Sequence, residues 1–469
     1  MTRLQWCACV MIPYAALVPS GAVAAQAAMA VATAPAPQSH TALTLTLDSA
    51  VAIAVRGATA VLLARDATRV SGALVLERYG QFLPDLVGNG GFSQFVGNPL
   101  LSGAAIIPTK SRFRDLDYQV TTTLNLFNGF ADVAGLKAAV ATRSAADLTL
   151  ERVRQTIALD VTQAYLRVVL DSELVSIATQ NLAASNQRVV QLQELVRVGK
   201  RPPADLYRQQ AQAAADLSTL ADARNHSQTD VIGLLERLRL DPHQPVTIAP
   251  APPDTTLLAP SYTAVDSLVH DATARRADLK AADERVTASR SSITQARSGY
   301  LPQLDLEAGV FSAGRFFDYA TVAGRSMLTT PQTPLWDQVG RQTTGVLALG
   351  LNWAIFDRFR TRFTVEQARA TFDSARYVDQ DLRFQVAGDV AQALGDYRTA
   401  VEQLTASTSG LVAAQQAYDL VNGRFQVGFA SIVDVTTAQS ALVQAQALQA
   451  QAVLNLGLRK RGVAYALGL

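Results

Sequence analysis

Apolar residues recur at every second position in several segments of this chain, which predicts β-strands with two different faces. The clearest example runs from Leu347 to Ile355, with Ala, Gly and Asn at the intervening positions. Residues 118–126 alternate in the same phase, and residues 304–310 have acidic side chains opposite the apolar row. One apolar and one polar face is typical of a membrane barrel, although a half-buried soluble strand alternates too. The predicted membrane-facing residues are Leu347, Leu349, Leu351, Trp353 and Ile355, with Trp353 suited to an interfacial aromatic girdle or to ordinary barrel packing.

Long proline-free segments predict long helices between these strands. A helix from about Phe130 to Val198 would be roughly 100 Å long, since an α-helix rises about 1.5 Å per residue. Toward the helix ends the apolar positions follow 3-4-3-4 spacing, which predicts left-handed coiled-coil packing. The seam positions are Leu182, Ser185, Val189, Leu192 and Val196 in one helix, and Leu411, Ala414, Tyr418, Val421 and Phe425 in another.

Shorter helices are predicted before the strands, over about Asp48–Gly80 and about Asp266–Gly299. Each is closed by a Leu-Pro pair, because proline cannot continue a helix. Segments rich in Gly, Pro and Thr, about 96–114 and 312–341, are predicted to be loops at the strand tips.

The chain also repeats itself. Residues 48–51 recur 218 positions later, whereas Phe127 matches Phe356 at an offset of 229 that persists to the last residue. A constant offset over a long stretch indicates two copies of one structural unit. We therefore predict repeats over 43–240 and 262–469, joined by a proline-rich linker over 241–261.

The N-terminus reads as a signal peptide over residues 1–25, followed by a flexible leader over 26–42. A short membrane anchor is the less favoured reading, because Pro13 and Pro19 interrupt the apolar stretch. Both cysteines lie inside the predicted signal, and Cys9 comes too early for a lipid anchor, so no N-terminal lipid is expected.

Composition argues against several function classes. The formal net charge is +2 and the charged residues are scattered along the chain, so no cluster of basic residues suggests nucleic-acid binding. The sequence has no Gly-rich phosphate loop, GxSxG or HExxH motif, so we predict no enzyme, no catalytic residue and no cofactor. Its four histidines lack ligand spacing, so no metal site is predicted.

Several motifs carry a family resemblance. They are the opening segment 45–51, the paired Leu-Pro-x-Leu, Leu126-Phe127-Asn128-Gly129 after a strand, the segment 160–166, and the segment 424–435 at a predicted helix-turn-helix. In this order and spacing they resemble the TolC-like outer-membrane efflux protein family, over roughly residues 43–469.

The resemblance implies a mixed α/β membrane protein. It would be a homotrimer with a shared 12-stranded transmembrane β-barrel, four strands per protomer, continued by a periplasmic α-helical coiled-coil barrel. The implied function is a passive exit duct in the outer membrane of a Gram-negative bacterium. Its implied partners are an inner-membrane pump, a periplasmic adaptor protein and outer-membrane lipid. A structural trimeric coiled coil on the cell surface, without transport, is the alternative.

The resemblance also implies roles for the helical tips. Asp434 matches the first position of an acidic ring that narrows the periplasmic gate, and Thr437 stands where many members carry a second acidic residue. The alternative is that Asp434 and Asp205 are ordinary residues of a helix start. The tip residues expected to contact the adaptor are Gly199, Lys200, Arg201, Asp205, Phe425 and Gly428.

One departure from the family concerns the contact that holds the duct closed. In some members an Arg and a Tyr on the second tip reach an Asp on the first, and Asp205 matches that Asp. Here Phe425 has no hydroxyl and Ala430 stands at the Arg position, so that lock cannot form. We expect Lys200 and Arg201 on the first tip to be the substitutes.

Overall fold

The computed structural model of the 469-residue chain describes residues 43–97, 109–250, 256–258, 265–322, 325–326, 328 and 331–469. The predicted signal peptide and leader lie outside the described residues. The same holds for 98–108 of the first predicted loop and for parts of the linker.

The described residues form long helices and one principal antiparallel sheet. The helices are α1 Leu47–Gly57, α2 Thr59–Gly80, α3 Ala131–Arg197, α4 Pro203–Leu238, α5 Val265–Arg275, α6 Ala277–Arg297, α7 Leu335–Arg341, α8 Arg360–Gln426 and α9 Ile432–Leu467. The strands are β1 Leu43–Leu45, β2 Val87–Gly97, β3 Thr109–Phe127, β4 Val246–Ile248, β5 Gln303–Val322, β6 Arg325–Ser326 and β7 Thr344–Asn352.

The prediction of very long helices is confirmed. Helices α3 and α8 have 67 residues each, and α4 and α9 have 36 each. A helix of that longer length spans about 100 Å. Both long helices begin after a phenylalanine in the left-handed region, Phe130 with φ 67° and Phe359 with φ 66°. Each ring makes an edge-to-face contact with the ring three residues earlier, Phe127 and Phe356 respectively.

The predicted coiled-coil seam is also the packed face of these helices. All ten seam residues are buried or half-buried, and Ser185 and Leu192 are fully buried. The two helical hairpins, α3 with α4 and α8 with α9, pack against each other through this face.

The prediction of uninterrupted helices over Asp48–Gly80 and Asp266–Gly299 is wrong. The first breaks at Ala58 and the second at Arg276, where ψ is 136° and 125°. The two arms of the first helix serve different cores: Ala54 in α1 packs with Tyr165 and its neighbours, whereas Val61 in α2 packs with Leu150. The 43° bend lets both arms bury their apolar face.

The principal sheet has strand order β2-β3-β5-β7, with β6 paired to the far end of β5. Strands β3 and β5 pair over their whole length, from Thr109 opposite Val322 to Phe127 opposite Leu304. The predicted loops over 96–114 and 312–341 are therefore too long, because β3 and β5 extend into these ranges.

The strand predicted over Leu347–Ile355 ends at Asn352, so Trp353 and Ile355 are not strand residues. The reason is the length of its neighbour. Asn352 pairs with Gln303, the first residue of β5, and no ladder partner exists beyond it. The Trp353 indole N–H instead donates to the carbonyl of Tyr300 at 3.1 Å.

Part of the predicted linker forms a strand. Strand β4 lies within it and pairs in parallel with β1, which joins the linker to the start of the described chain. The buried hydroxyl of Tyr165 secures this junction by hydrogen bonding to the carbonyls of Leu45 at 3.1 Å and Ala249 at 2.6 Å.

Among the described residues, no single helix is long and apolar enough to cross a membrane. Taken together across their bend, α1 and α2 reach the required length and composition.

Candidate functional site

The two faces of the sheet differ in chemistry. Directly opposite residues share a face, and Leu351 lies opposite Leu304, Leu349 opposite Leu306, and Leu347 opposite Ala308. The side chains of these β7 leucines are exposed in the single chain. A continuous row of exposed leucines marks a surface that lipid or another protein covers.

The other face is polar. In register across β3 and β5 it presents Gln119, Thr123, Asn125, Asp305 and Glu307. A sheet with this division has the alternation expected of a barrel with an aqueous interior.

Both edges of the four-strand array are open in the single chain. Strand β2 pairs with β3 alone and β7 pairs with β5 alone, among the residues that the structure describes. Unpaired backbone groups are not tolerated in hydrocarbon, so each edge requires a partner strand if the sheet lies in a membrane.

The far end of the sheet carries two ion pairs on opposite faces. Arg315 binds Asp115 with both arms of its guanidinium, at 2.7 and 2.8 Å. Arg114 binds Asp318 at 2.7 Å. Helix α7 packs beside this region against Gly314, where a Cβ atom would lie 3.1 Å from Val339.

At the other end of the molecule, the long helices stop at two tips, defined here as residues 198–205 and 425–434. Gly199 has φ 71° and Gly428 has φ 87°, a region that favours glycine. The N–H of Lys200 bonds to the Leu195 carbonyl and that of Gly199 to Val196, which is a Schellman ending. The second tip ends identically around Gly428.

The helix that leaves the second tip starts with a capping box. The Asp434 carboxylate accepts hydrogen bonds from the Ser431 N–H at 2.9 Å and from its hydroxyl at 2.8 Å. These bonds lower the pKa of the Asp434 carboxyl below its ordinary value. Asp434 thus does have the structural role expected of a helix-start residue, while its side chain remains exposed.

Thr437 lies three residues later and is also exposed, so it shares a helix face with Asp434. Asp205 is half-buried in the first turn of α4, which begins with Pro203 and has no side-chain cap. The gate roles of these residues therefore stay predictions.

Arg201 joins the two tips. Its guanidinium lies 4.5 Å from the ring centre of Phe425, and it donates to the Phe425 carbonyl at 3.3 Å. It also lies 3.5 Å from the carbonyl of Ala430. Phe425 itself is buried in an apolar cluster with Leu192 and residues of α9. Lys200, the other expected substitute, has an exposed side chain.

A second link between the hairpins was not found from the sequence. The buried guanidinium of Arg188 in α3 donates to the Gln439 side-chain oxygen in α9 and to the Tyr418 hydroxyl in α8, the latter at 2.9 Å. Gln439 in turn donates to Asn181. The sequence signal for this link is Tyr418, whose hydroxyl interrupts the otherwise apolar seam of α8. Its partner Arg188 lies 230 residues away, so the sequence does not identify the pair.

No group of three or more His, Cys, Asp or Glu side chains could hold a metal ion within the described ranges.

A sheet with one lipid-compatible face and two open edges, joined to two very long helical hairpins, defines an outer-membrane channel fold. The chain belongs to the outer membrane efflux protein family, whose sequence profile matches residues 100–238 and 268–469. The resemblance drawn from the sequence motifs is confirmed.

Individual relatives agree with this assignment. Protein CyaE of Bordetella pertussis is 25% identical over 350 residues, covering 74% of this chain and 68% of that protein. Outer membrane protein TolC of Escherichia coli is 23% identical over 366 residues, covering 74% and 69%. The crystal structure of the Campylobacter jejuni CmeC outer membrane channel superposes with a TM-score of 0.74 at 15% identity, covering 90% of this chain and 85% of that one.

Proposed function

We propose that three copies of this chain form one duct that carries substrates passively across the outer membrane. An inner-membrane pump and a periplasmic adaptor would supply the energy and select the cargo. The family assignment supports this proposal, and so do the open sheet edges. Four strands cannot close a barrel alone, because the smallest membrane barrels have about eight. Three chains would supply twelve.

The two sequence repeats predict how the copies pair. Within one chain Asp115 of β3 pairs with Arg315 of β5. Adding the repeat offset of 229 to Asp115 gives Thr344, and subtracting the offset of 218 from Arg315 gives Gly97. The repeats therefore predict that Thr344 lies opposite Gly97 of the next copy. Thr344 is the first residue of β7 and Gly97 is the last residue of β2. The two open edges therefore begin at the same level in the register that the repeats require.

This match between the two open edges is the observation that carries the proposal. A barrel closed in this register would have the polar face of the sheet toward an aqueous interior and the apolar face toward the outside.

The long helices support the same arrangement. In α3, Thr149 accepts a hydrogen bond from Arg285 of α6, and Gln155 donates to the carbonyl of Gly468 after α9. The equivalent positions in α8 are Val378 and Phe384, which are exposed. We infer that α2 and the end of α4 of the next copy cover them.

At the tips, we propose that Asp434 and Thr437 line the periplasmic gate. Three copies of an exposed carboxylate around one axis would concentrate negative charge and favour cations. The surrounding tip residues would meet the adaptor: Gly199, Lys200, Arg201, Asp205, Phe425 and Gly428.

Two measurements on the purified full-length protein test this function. Extraction from outer membranes should give a heat-modifiable trimer, and its reconstitution in a planar bilayer should give discrete single-channel currents. A protein that trimerises without conducting would instead support a structural coiled coil. A soluble monomer would contradict both.

A further inference from the structure

The apolar face of the sheet changes character at its far end. Arg112 and Arg114 lie on β3 in alternation with the residues of the polar face, so they continue the row that includes Leu116, Val120 and Leu124. Lys110 extends the row by one more position. Aromatic rings accompany the cations: Arg112 lies 5.6 Å from the ring centre of Tyr319 and Arg114 lies 5.1 Å from that of Phe316.

We propose that this row, Lys110, Arg112 and Arg114, binds the phosphate groups of lipid headgroups at the outer boundary of the membrane. The inference rests on the proposed function, because it requires the apolar face of the sheet to lie in lipid. It adds a specific lipid chemistry to that function.

The height of the row on the sheet fits a headgroup. Arg114 precedes Leu126, the last residue of this row on β3, by twelve positions, which is about 30 Å along the barrel axis for a strand tilted by about 40°. That distance slightly exceeds the usual height of the apolar band of a membrane barrel, about 25 Å, so the row lies just outside the band. Trp353 and Tyr300, joined by a hydrogen bond, lie beside the near end of that band. The cations therefore begin where the hydrocarbon should end.

Two of the three charges on this face, those of Lys110 and Arg112, are available to a ligand. From Gly91 to Arg114 the sequence contains three cations and no carboxylate. Asp318 is the partner of Arg114, while Lys110 and Arg112 form no ion pair within the described part of the chain. Both side chains are exposed.

The opposite face supplies an internal comparison. Arg315 lies on the polar side at nearly the same height, and Asp115 engages both arms of its guanidinium. The lumen-side cation is thus neutralised by protein, whereas Lys110 and Arg112 on the lipid side are not. Net positive charge is directed toward the membrane.

The row can recognise phosphate by ordinary chemistry. A guanidinium presents a planar set of donors that matches two phosphate oxygens, and stacking on Tyr319 holds Arg112 in place before the ligand arrives. A lipid is favoured over a free phosphate because the exposed ring of Phe92, which lies opposite Leu116 on the same face, is directly below the row and can contact acyl chains. Helix α7 flanks this site and exposes Trp336, a residue type enriched at membrane interfaces.

The test measures lipid binding to the detergent-extracted full-length trimer by native mass spectrometry. The probes are lipid A with its phosphorylated headgroup and the same lipid after removal of the phosphates. The variant is Lys110→Gln with Arg112→Gln. The matched control is Arg208→Gln with Arg224→Gln, two exposed cations on α4.

The wild-type protein should prefer the phosphorylated lipid, and the double variant should lose about 30-fold in affinity for it, from about 1 kcal/mol per cation near an anionic surface. The control should bind like wild type. Equal binding of both lipids by an intact trimer, or an unchanged double variant, would overturn the phosphate site alone. Displacement of the lipid by inorganic phosphate at equal concentration would overturn the choice of a lipid ligand. Absence of any membrane-extracted trimer would overturn the site and the proposed function together.

Discussion

The guanidinium of Arg201 stacks on the ring of Phe425, 4.5 Å from its centre, and so connects the tips of two helical hairpins that are 224 residues apart in sequence. Phe425 occupies the position where some family members use a tyrosine hydroxyl. In this chain the connection runs the other way: the cation comes from the first tip, and the ring and carbonyl oxygens come from the second.

Replacing Arg201 should therefore loosen the tips. In Arg201→Gln the stacking and the hydrogen bond to the Phe425 carbonyl are lost, and a cation–π contact of this kind contributes about 1 kcal/mol. We expect about a fivefold increase in the open-to-closed ratio of single channels in a planar bilayer. Lys200→Gln removes the neighbouring exposed charge and should leave the ratio unchanged. Identical gating of both variants would remove Arg201 from the closing contact.

The charge of Asp434 should control ion selectivity. Asp434→Asn keeps an acceptor for the Ser431 N–H but removes the charge, so cation preference should fall while the helix start survives. The reciprocal variant, Thr437→Asp, adds a second acidic tier and should raise cation preference. Reversal potentials across a salt gradient measure both. Unchanged selectivity in Asp434→Asn would eliminate the gate role.

The same carboxyl makes a pH prediction. Hydrogen bonds from Ser431 lower the pKa of Asp434, so the charge persists below the ordinary aspartate pKa of about 3.9. Cation preference should stay constant from pH 7 to about 4.5 and decline only below that value. The stability that the ionised cap contributes should be lost in the same acidic window. A decline in selectivity centred near neutral pH would point to a different group.

The pKa of Asp171, in the first helical hairpin, is shifted in the opposite direction to that of Asp434. Burial, followed by the nearby carboxylate of Asp230, raises the pKa of Asp171 to about 6. The folded state therefore binds this proton more tightly than the unfolded state, and stability falls as pH rises from about 4 to 6. Asp171→Asn should raise the thermal midpoint at pH 7.5 and leave it nearly unchanged below pH 4. Asp222→Asn, an exposed carboxylate on α4, should show neither effect. A pH-independent gain in Asp171→Asn would contradict the titration.

Two glycines near the second tip should respond oppositely to alanine. Gly428 has φ 87°, so Gly428→Ala should destabilise the tip by about 1–2 kcal/mol. Gly423 lies inside α8 with open space around its Cα, so Gly423→Ala should stabilise by about 0.5–1 kcal/mol. Thermal unfolding of the two variants in detergent measures both signs. The same sign for both would contradict the helix ending assigned here.

How far the sequence predicts this structure depends on the range of the interactions. The coiled-coil seam follows from local spacing and was predicted correctly. The end of β7 did not follow, because alternation continues through Trp353 and Ile355 while the ladder stops where β5 begins. Strand length is a property of the pair, and the sequence of one strand does not contain it.

The helix breaks and the hairpin contacts were missed for related reasons. Arg276 interrupts a segment of good helix formers because Asp278 and Asp389 bind its buried guanidinium. Arg188 finds its partners on α8 and α9, more than 200 residues away. Arg201 was named as a substitute for the missing lock, but its contact with the Phe425 ring needed the folded arrangement.

Closure of one barrel by three chains is the central claim, and cross-linking of the two open edges tests it most directly. The inferred register places Ser93 of β2 opposite Ala348 of the next copy, within the distance that a disulfide spans. The two residues cannot bridge within one chain, because β3 and β5 lie between their strands. The experiment uses Ser93→Cys with Ala348→Cys in a background where Cys7 and Cys9 are replaced by Ser.

Oxidation should convert this double variant to a covalent trimer on a boiled, non-reducing gel. The control pair, Ser93→Cys with Gly350→Cys, lies on the same face but two positions out of register and should stay monomeric. Monomers from the first pair, equal cross-linking of both pairs, or a ladder of species larger than a trimer would contradict the closed three-chain barrel.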